Sequence, residues 1–181
     1  MELNNKNKKL GPETVVLNME SATDCSSKKL GLCQHCKICY AMKAERLYPP
    51  VLPYRRRQAQ QWQAETVDVI AASVTRFKKA KYLRFSEAGD FKTQADVDKM
   101  SRISEKLKAL KIKVYGYTAR RDLDYSSVSD NMTVNGSGFT VHNQFKVVSE
   151  RVPGALNCSG SCKTCGLCKT SKNRIINVVK H

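Results

Sequence analysis

The chain has 181 residues, enough for one domain whose core needs no disulfide staples. Apolar residues make up 41% and aromatic residues 7%, which excludes an extensively disordered chain; no apolar run approaches the ~20 residues that carry a helix across a bilayer. The formal net charge is +16, from 32 Lys and Arg against 16 Asp and Glu, and so positive a field favours polyanionic partners, nucleic acid above all.

Residues 1–12 are polar and lysine-rich and are expected to form a flexible basic lead-in, with no apolar signal core, to a single domain over 13–181. The expected location is the cytoplasm. A first buried strand is expected over 14–19, and a cysteine-bearing loop with Gly31 follows it. Residues 40–46 read as a helix, closed by Pro49, Pro50 and Pro53. Residues 54–78 read as a second, longer helix with Val67, Ile70, Ala71, Val74 and Phe77 on its apolar stripe. Residues 82–86 form a second strand. Thr93 is the expected N-cap of the next helix, with Asp96 three residues on and Val97, Met100, Ile103, Leu107 and Leu110 along one face. Further strands are expected over 112–118, 132–135, 144–149 and 175–179, with a short helix over 123–128.

Strands alternating with helices predict an α/β fold, a mainly parallel sheet of about six strands that is either open and doubly wound or a partial (β/α) barrel. In either arrangement ligands collect beyond the C-terminal ends of the strands. The first cysteine loop, the segment after the second strand and the stretch from Asn135 to Gly138 all fall there. That last stretch is an ordinary loop before it is an anion-binding nest.

The eight cysteines fall in two groups, Cys25, Cys33, Cys36 and Cys39, then Cys158, Cys162, Cys165 and Cys168. Disulfides are disfavoured by this clustering in a chain without an export signal. Each group is a compact triplet plus one outlier, and a loop of that spacing wraps a cluster with several thiolates on one side. This favours two [4Fe-4S] clusters over zinc, which more often uses two distant Cys-x2-Cys knuckles. Zinc-stapled loops in a nucleic-acid-binding module are the alternative. His35 lies between Cys33 and Cys36, where four cysteines already suffice as ligands.

The run Cys39-Tyr40-Ala41, the segment from Arg84 to Phe91, the strand Val114 to Thr118 and the closing cysteine group together resemble the phage-associated gene product 88 family, over roughly residues 14–170. That resemblance implies no established activity. A second resemblance is to radical S-adenosylmethionine (SAM) enzymes, which place a three-cysteine cluster loop after the first strand of a partial barrel. It implies that Cys33, Cys36 and Cys39 hold a cluster with one open iron for SAM, that Glu87, Gly89 and Asp90 contact SAM or substrate, and that the C-terminal group is an auxiliary cluster. The spacing here is Cys-x2-Cys-x2-Cys where that family has Cys-x3-Cys-x2-Cys, and Cys25 as a fourth ligand would close the iron. Both the open and the capped cluster follow from the sequence.

Nucleic-acid contacts are expected at Arg55, Arg56 and Arg57, beside Tyr54 and Trp62, and at Lys78, Lys79 and Lys81, since guanidinium groups pair with phosphates and rings stack on bases. The same residues also fit a solvated helix face. The sequence contains no Gly-Lys-Ser/Thr phosphate loop, no His-Glu-x-x-His and no serine-hydrolase elbow.

Overall fold

The structure, a computed structural model, describes residues 1–179. Six strands, β1 (Thr14–Leu17), β2 (Tyr82–Phe85), β3 (Lys113–Thr118), β4 (Met132–Ser137), β5 (Asn143–Val148) and β6 (Arg174–Val179), form one sheet in chain order, and every neighbouring pair is parallel. A doubly wound sheet reverses its strand order, so that alternative is excluded. The crossovers that link β1 to β3 pack on one face of the sheet, as in a partial (β/α) barrel.

That face carries α3 (Val51–Ala64), α4 (Val67–Thr75) and α5 (Gln94–Lys108). Trp62, Ile70, Val74, Val97, Met100, Ile103 and Leu107 from these helices are buried against Val15, Leu17, Leu83, Phe85, Val114, Met132 and Val134 from the strands. The strand positions obey the period of two that the pleat imposes. Leu110 departs from the expected stripe: it lies past the end of α5 and is 54% exposed. Thr93 caps α5 as expected, in a capping box with Asp96, whose carboxylate also accepts from Trp62 Nε1 at 2.8 Å.

The long helix expected over 54–78 is two helices. Glu65 is extended, and the Thr66 hydroxyl accepts from Val69 N–H, restarting the helix as α4. Pro53 lies in the first turn of α3, where its missing N–H breaks no helical bond. The chain before it forms α1 (Ser26–Lys29), a 3₁₀ turn at Cys36–Ile38 and α2 (Tyr40–Leu47). Residues 123–128 make turns instead of the expected helix, held by Asp124, whose carboxylate accepts from Ser126 N and Oγ. The lead-in packs along β1 instead of standing free of it: Asn4 bridges Val16, the Met1 ammonium donates to Ser73 Oγ, and Leu10 is buried.

Parallel neighbours ordinarily need a dozen residues between them. Here residues 138–142 suffice, because Asn143 pairs level with Asn135 and the chain falls back only slightly. Asn135 and Gly136 therefore belong to β4, not to a loop. A Cβ on Gly136 would lie 2.1 Å from the Phe139 carbonyl oxygen, and Gly138 has φ +83°. The turn is pinned by His142, whose Nδ1 accepts from Val134 N–H at 3.0 Å. Burial, with Lys172 nearby, lowers the His142 pKa to about 4, so the folded state needs the neutral ring. Stability from this group is present above the unfolded pKa of about 6.5 and is lost as pH falls toward 4. The denaturant midpoint should fall between pH 7 and pH 4.5, and the part of that fall due to this group should vanish in His142→Gln.

Candidate metal centre

The first cysteine group follows β1. Glu20 is buried beneath it and accepts from Ser26 N at 2.7 Å and Ser26 Oγ at 2.8 Å. Cys25 precedes α1; its sulfur lies near the backbone of Lys28 and Ser27 and senses Asp90 and Glu20. Burial pushes its thiol up to about 12. Cys33 is likewise pushed up to about 12, by burial and then by a hydrogen bond with Cys36, and Cys36 and Cys39 both oppose its ionisation. Cys33 thus lies near Cys36 and Cys39, and Cys25 near Glu20 and Asp90.

Asp90 ties this loop to the sheet. It is 3% exposed. One carboxylate oxygen accepts from Thr118 Oγ1 at 2.7 Å and Phe91 N at 2.9 Å, the other from Ser27 Oγ at 2.6 Å and Ala119 N at 2.7 Å. Burial raises its pKa against the pull of those four bonds. Gly89, at φ +73°, packs so closely that a Cβ would lie 2.4 Å from that of Glu20. Glu87 accepts from Asn7, and its backbone carbonyl accepts from Tyr40 Oη at 2.8 Å. Of the three residues expected to contact SAM or substrate, Asp90 and Gly89 serve as struts and Glu87 lies nearer the surface.

The second group lies on the face opposite the helices. Residues 149–173 connect β5 to β6, and within them α6 (Leu167–Thr170) packs on β3 and β4. Asn135 Nδ2 donates to the Cys168 carbonyl at 2.9 Å, and Asn143 Nδ2 to that of Ser171 at 2.7 Å. Cys158, Cys162, Cys165 and Cys168 line one small cavity together with Tyr117, Phe145 and Ile176. Burial and the adjacent Cys168 hold the Tyr117 phenol well above its usual pKa, so it stays protonated beside that cysteine. Tyr117 stands edge-on to Phe145 at 4.8 Å in the cavity wall, and Tyr115 stands edge-on to Tyr82 at 6.2 Å on the same side of the sheet.

The eight cysteines form no disulfide. Among the described residues, no three Cys, His, Asp or Glu side chains stand close enough together, as arranged, to hold a metal ion. The C-terminal group nonetheless fits a metal by its donor set, four cysteines lining one cavity that also holds the Tyr117 hydroxyl as a potential donor to sulfur.

Of the candidate nucleic-acid contacts, Arg55 is buried at 6% exposure, donating to the Ala41 carbonyl at 2.9 Å and to Glu45 at 3.0 Å. Arg56 pairs with Asp24, Arg57 with Glu2 and Lys81 with Glu13, all on the surface. Lys78 and Lys79 are exposed. Arg84 escaped the sequence reading of the site. The available signal was the arginine inside β2, where alternation with Leu83 and Phe85 turns it to the face opposite the helices.

Fold and site together define an all-parallel α/β protein with one cysteine group after its first strand and another covering the face its helices leave open. The family model for Gene product 88 matches residues 1–152, and the chain belongs to this phage-associated family. The match ends before Cys158, short of residue 170 where the resemblance was expected to stop, so α6, β6 and the second cysteine group lie beyond it. Neither a curated protein nor a solved structure matches the chain. No described helix is long and apolar enough to cross a membrane.

Proposed function

We propose that this chain is an iron–sulfur protein whose C-terminal cysteines hold a [4Fe-4S] cluster against the sheet, with a second cluster on the N-terminal loop. The observation that carries this reading is the common cavity lined by Cys158, Cys162, Cys165 and Cys168. Such a cluster supplies electron storage when bound. The chain's own contribution is to exclude water with Tyr117, Phe145 and Ile176 and to hold a proton on Tyr117 facing the sulfur of Cys168. Purified without oxygen, the protein should be brown, with iron and sulfide near four each per site. Stoichiometric zinc without sulfide would replace this reading with a zinc-stapled module.

A second reading, radical-SAM-like chemistry at the first group, is favoured by the neighbouring Cys33, Cys36 and Cys39 with Cys25 facing the acidic pair. Adding SAM to the reduced protein and assaying 5′-deoxyadenosine separates an open iron from a capped one. Contact with nucleic acid is supported by the net charge and by the exposed Lys78, Lys79, Arg56 and Arg57. Binding of that kind weakens steeply with salt.

A further inference from the structure

Two cations lie beside the C-terminal cysteine cavity, Lys169 buried and Arg84 half-buried, and neither has a carboxylate partner among the described residues. Lys169 is 3% exposed, follows Cys168 directly, and sets its ammonium 4.4 Å from the centre of the Tyr82 ring. Arg84 lies 5.1 Å from the centre of the Tyr117 ring, which lines the cavity together with Cys168. Its Nη2 reaches only the Tyr40 hydroxyl, at 3.1 Å, and its Nε is buried without any partner. Rings stabilise cations by far less than the penalty for burying one unpaired. Cations in such positions call for an anion close by.

We infer that Arg84 and Lys169 are the built-in counter-charge of a metal centre on Cys158, Cys162, Cys165 and Cys168. This rests on the proposed metal reading. Four thiols that take up a divalent ion release four protons to solvent, and the resulting centre has a formal charge of about −2; an oxidised [4Fe-4S] core on four thiolates has the same charge. Two cations offset it. Either metal is served, so the role depends on the charge of the centre and not on its identity.

The test uses Zn2+ as probe, titrated against a competing chelator into the full-length, reduced, metal-free protein. Arg84→Met and Lys169→Met should each weaken one binding step by about tenfold or more, the usual loss when an outer-shell partner is removed. Lys163→Met removes the same charge from an exposed position beside Cys162 and should leave both steps unchanged. A purely structural role is separated by the stability of the metal-free forms. Deleting an unpaired buried cation should leave the metal-free protein as stable as the parent or more so, while metal binding weakens. Variants that bind Zn2+ like the parent, or metal-free variants that unfold more easily, overturn the inference alone. A parent protein that takes up no Zn2+ overturns the metal reading and the inference with it.

Discussion

Replacing Asp90 by alanine is expected to cost about 3–5 kcal/mol of folding stability, because it strands four buried donors at once. The donors are the Ser27 and Thr118 hydroxyls and the backbone N–H groups of Phe91 and Ala119. The hydroxyls can turn to other acceptors, but the two N–H groups are fixed by the backbone. Asp90→Asn should cost an intermediate amount. One oxygen of the amide still accepts from Thr118 and Phe91, while its NH2 meets the Ala119 N–H, donor against donor. Ser27 belongs to α1, directly after Cys25, so the same substitution also detaches the first cysteine loop from the end of β3. Urea unfolding should order the three proteins as wild type, Asn, then Ala, with hydrogen exchange rising first in residues 20–30. A loss below about 1 kcal/mol for the alanine variant would show that this network does not hold the loop.

The three consecutive arginines of α3 should separate sharply. Arg55→Ala removes a buried guanidinium from Glu45, itself only 7% exposed, and should cost about 3–5 kcal/mol. Burial by itself would raise the Glu45 pKa; the bonds from Ala22, Thr23 and Arg55 bring it below the usual range, so the carboxylate must stay ionised and must be answered. Arg56→Ala and Arg57→Ala break exposed, solvent-screened pairs with Asp24 and Glu2 and should each leave the urea midpoint almost unchanged. Nucleic-acid binding should respond in the opposite sense. Arg56 and Arg57 should weaken it and flatten its salt dependence, whereas Arg55 should act only through unfolding. A stable Arg55→Ala protein with lost binding would reverse this assignment.

The α/β character, the parallel sheet and all six strands were legible because each strand is a short apolar run between breakers, and that pattern survives without knowledge of its neighbours. The capping box at Thr93 and Asp96 was legible for the same reason, being local. What could not be read was partnership. Arg55, Arg56 and Arg57 are identical in the sequence, and only packing decides that the first lies beneath α2 beside Glu45. Asp90 looked like a ligand-facing acid because its four donors come from three separate stretches of chain. The break at Thr66 was missed because the apolar stripe runs on through it. The stretch from Asn135 to Gly138 read as a loop because glycine there signals a turn, whereas Gly136 is required by the close approach of Phe139. The proposed metal ligands were visible as spacing, but Arg84 beside them was not, since it lies far from them in the chain.

The placement of the second cysteine group between β5 and β6 gives the molecule a timetable. A ribosome delivers β1 to β5, with the helices that cover one side, before it has made any of Cys158, Cys162, Cys165 or Cys168. The rings of Tyr82, Tyr115, Tyr117 and Phe145 on the face opposite the helices are therefore uncovered until residues 149–179 emerge, and β5 remains an edge until β6 joins it. Any metal delivered to this site arrives after the first five strands are made, and its capture coincides with the joining of β6.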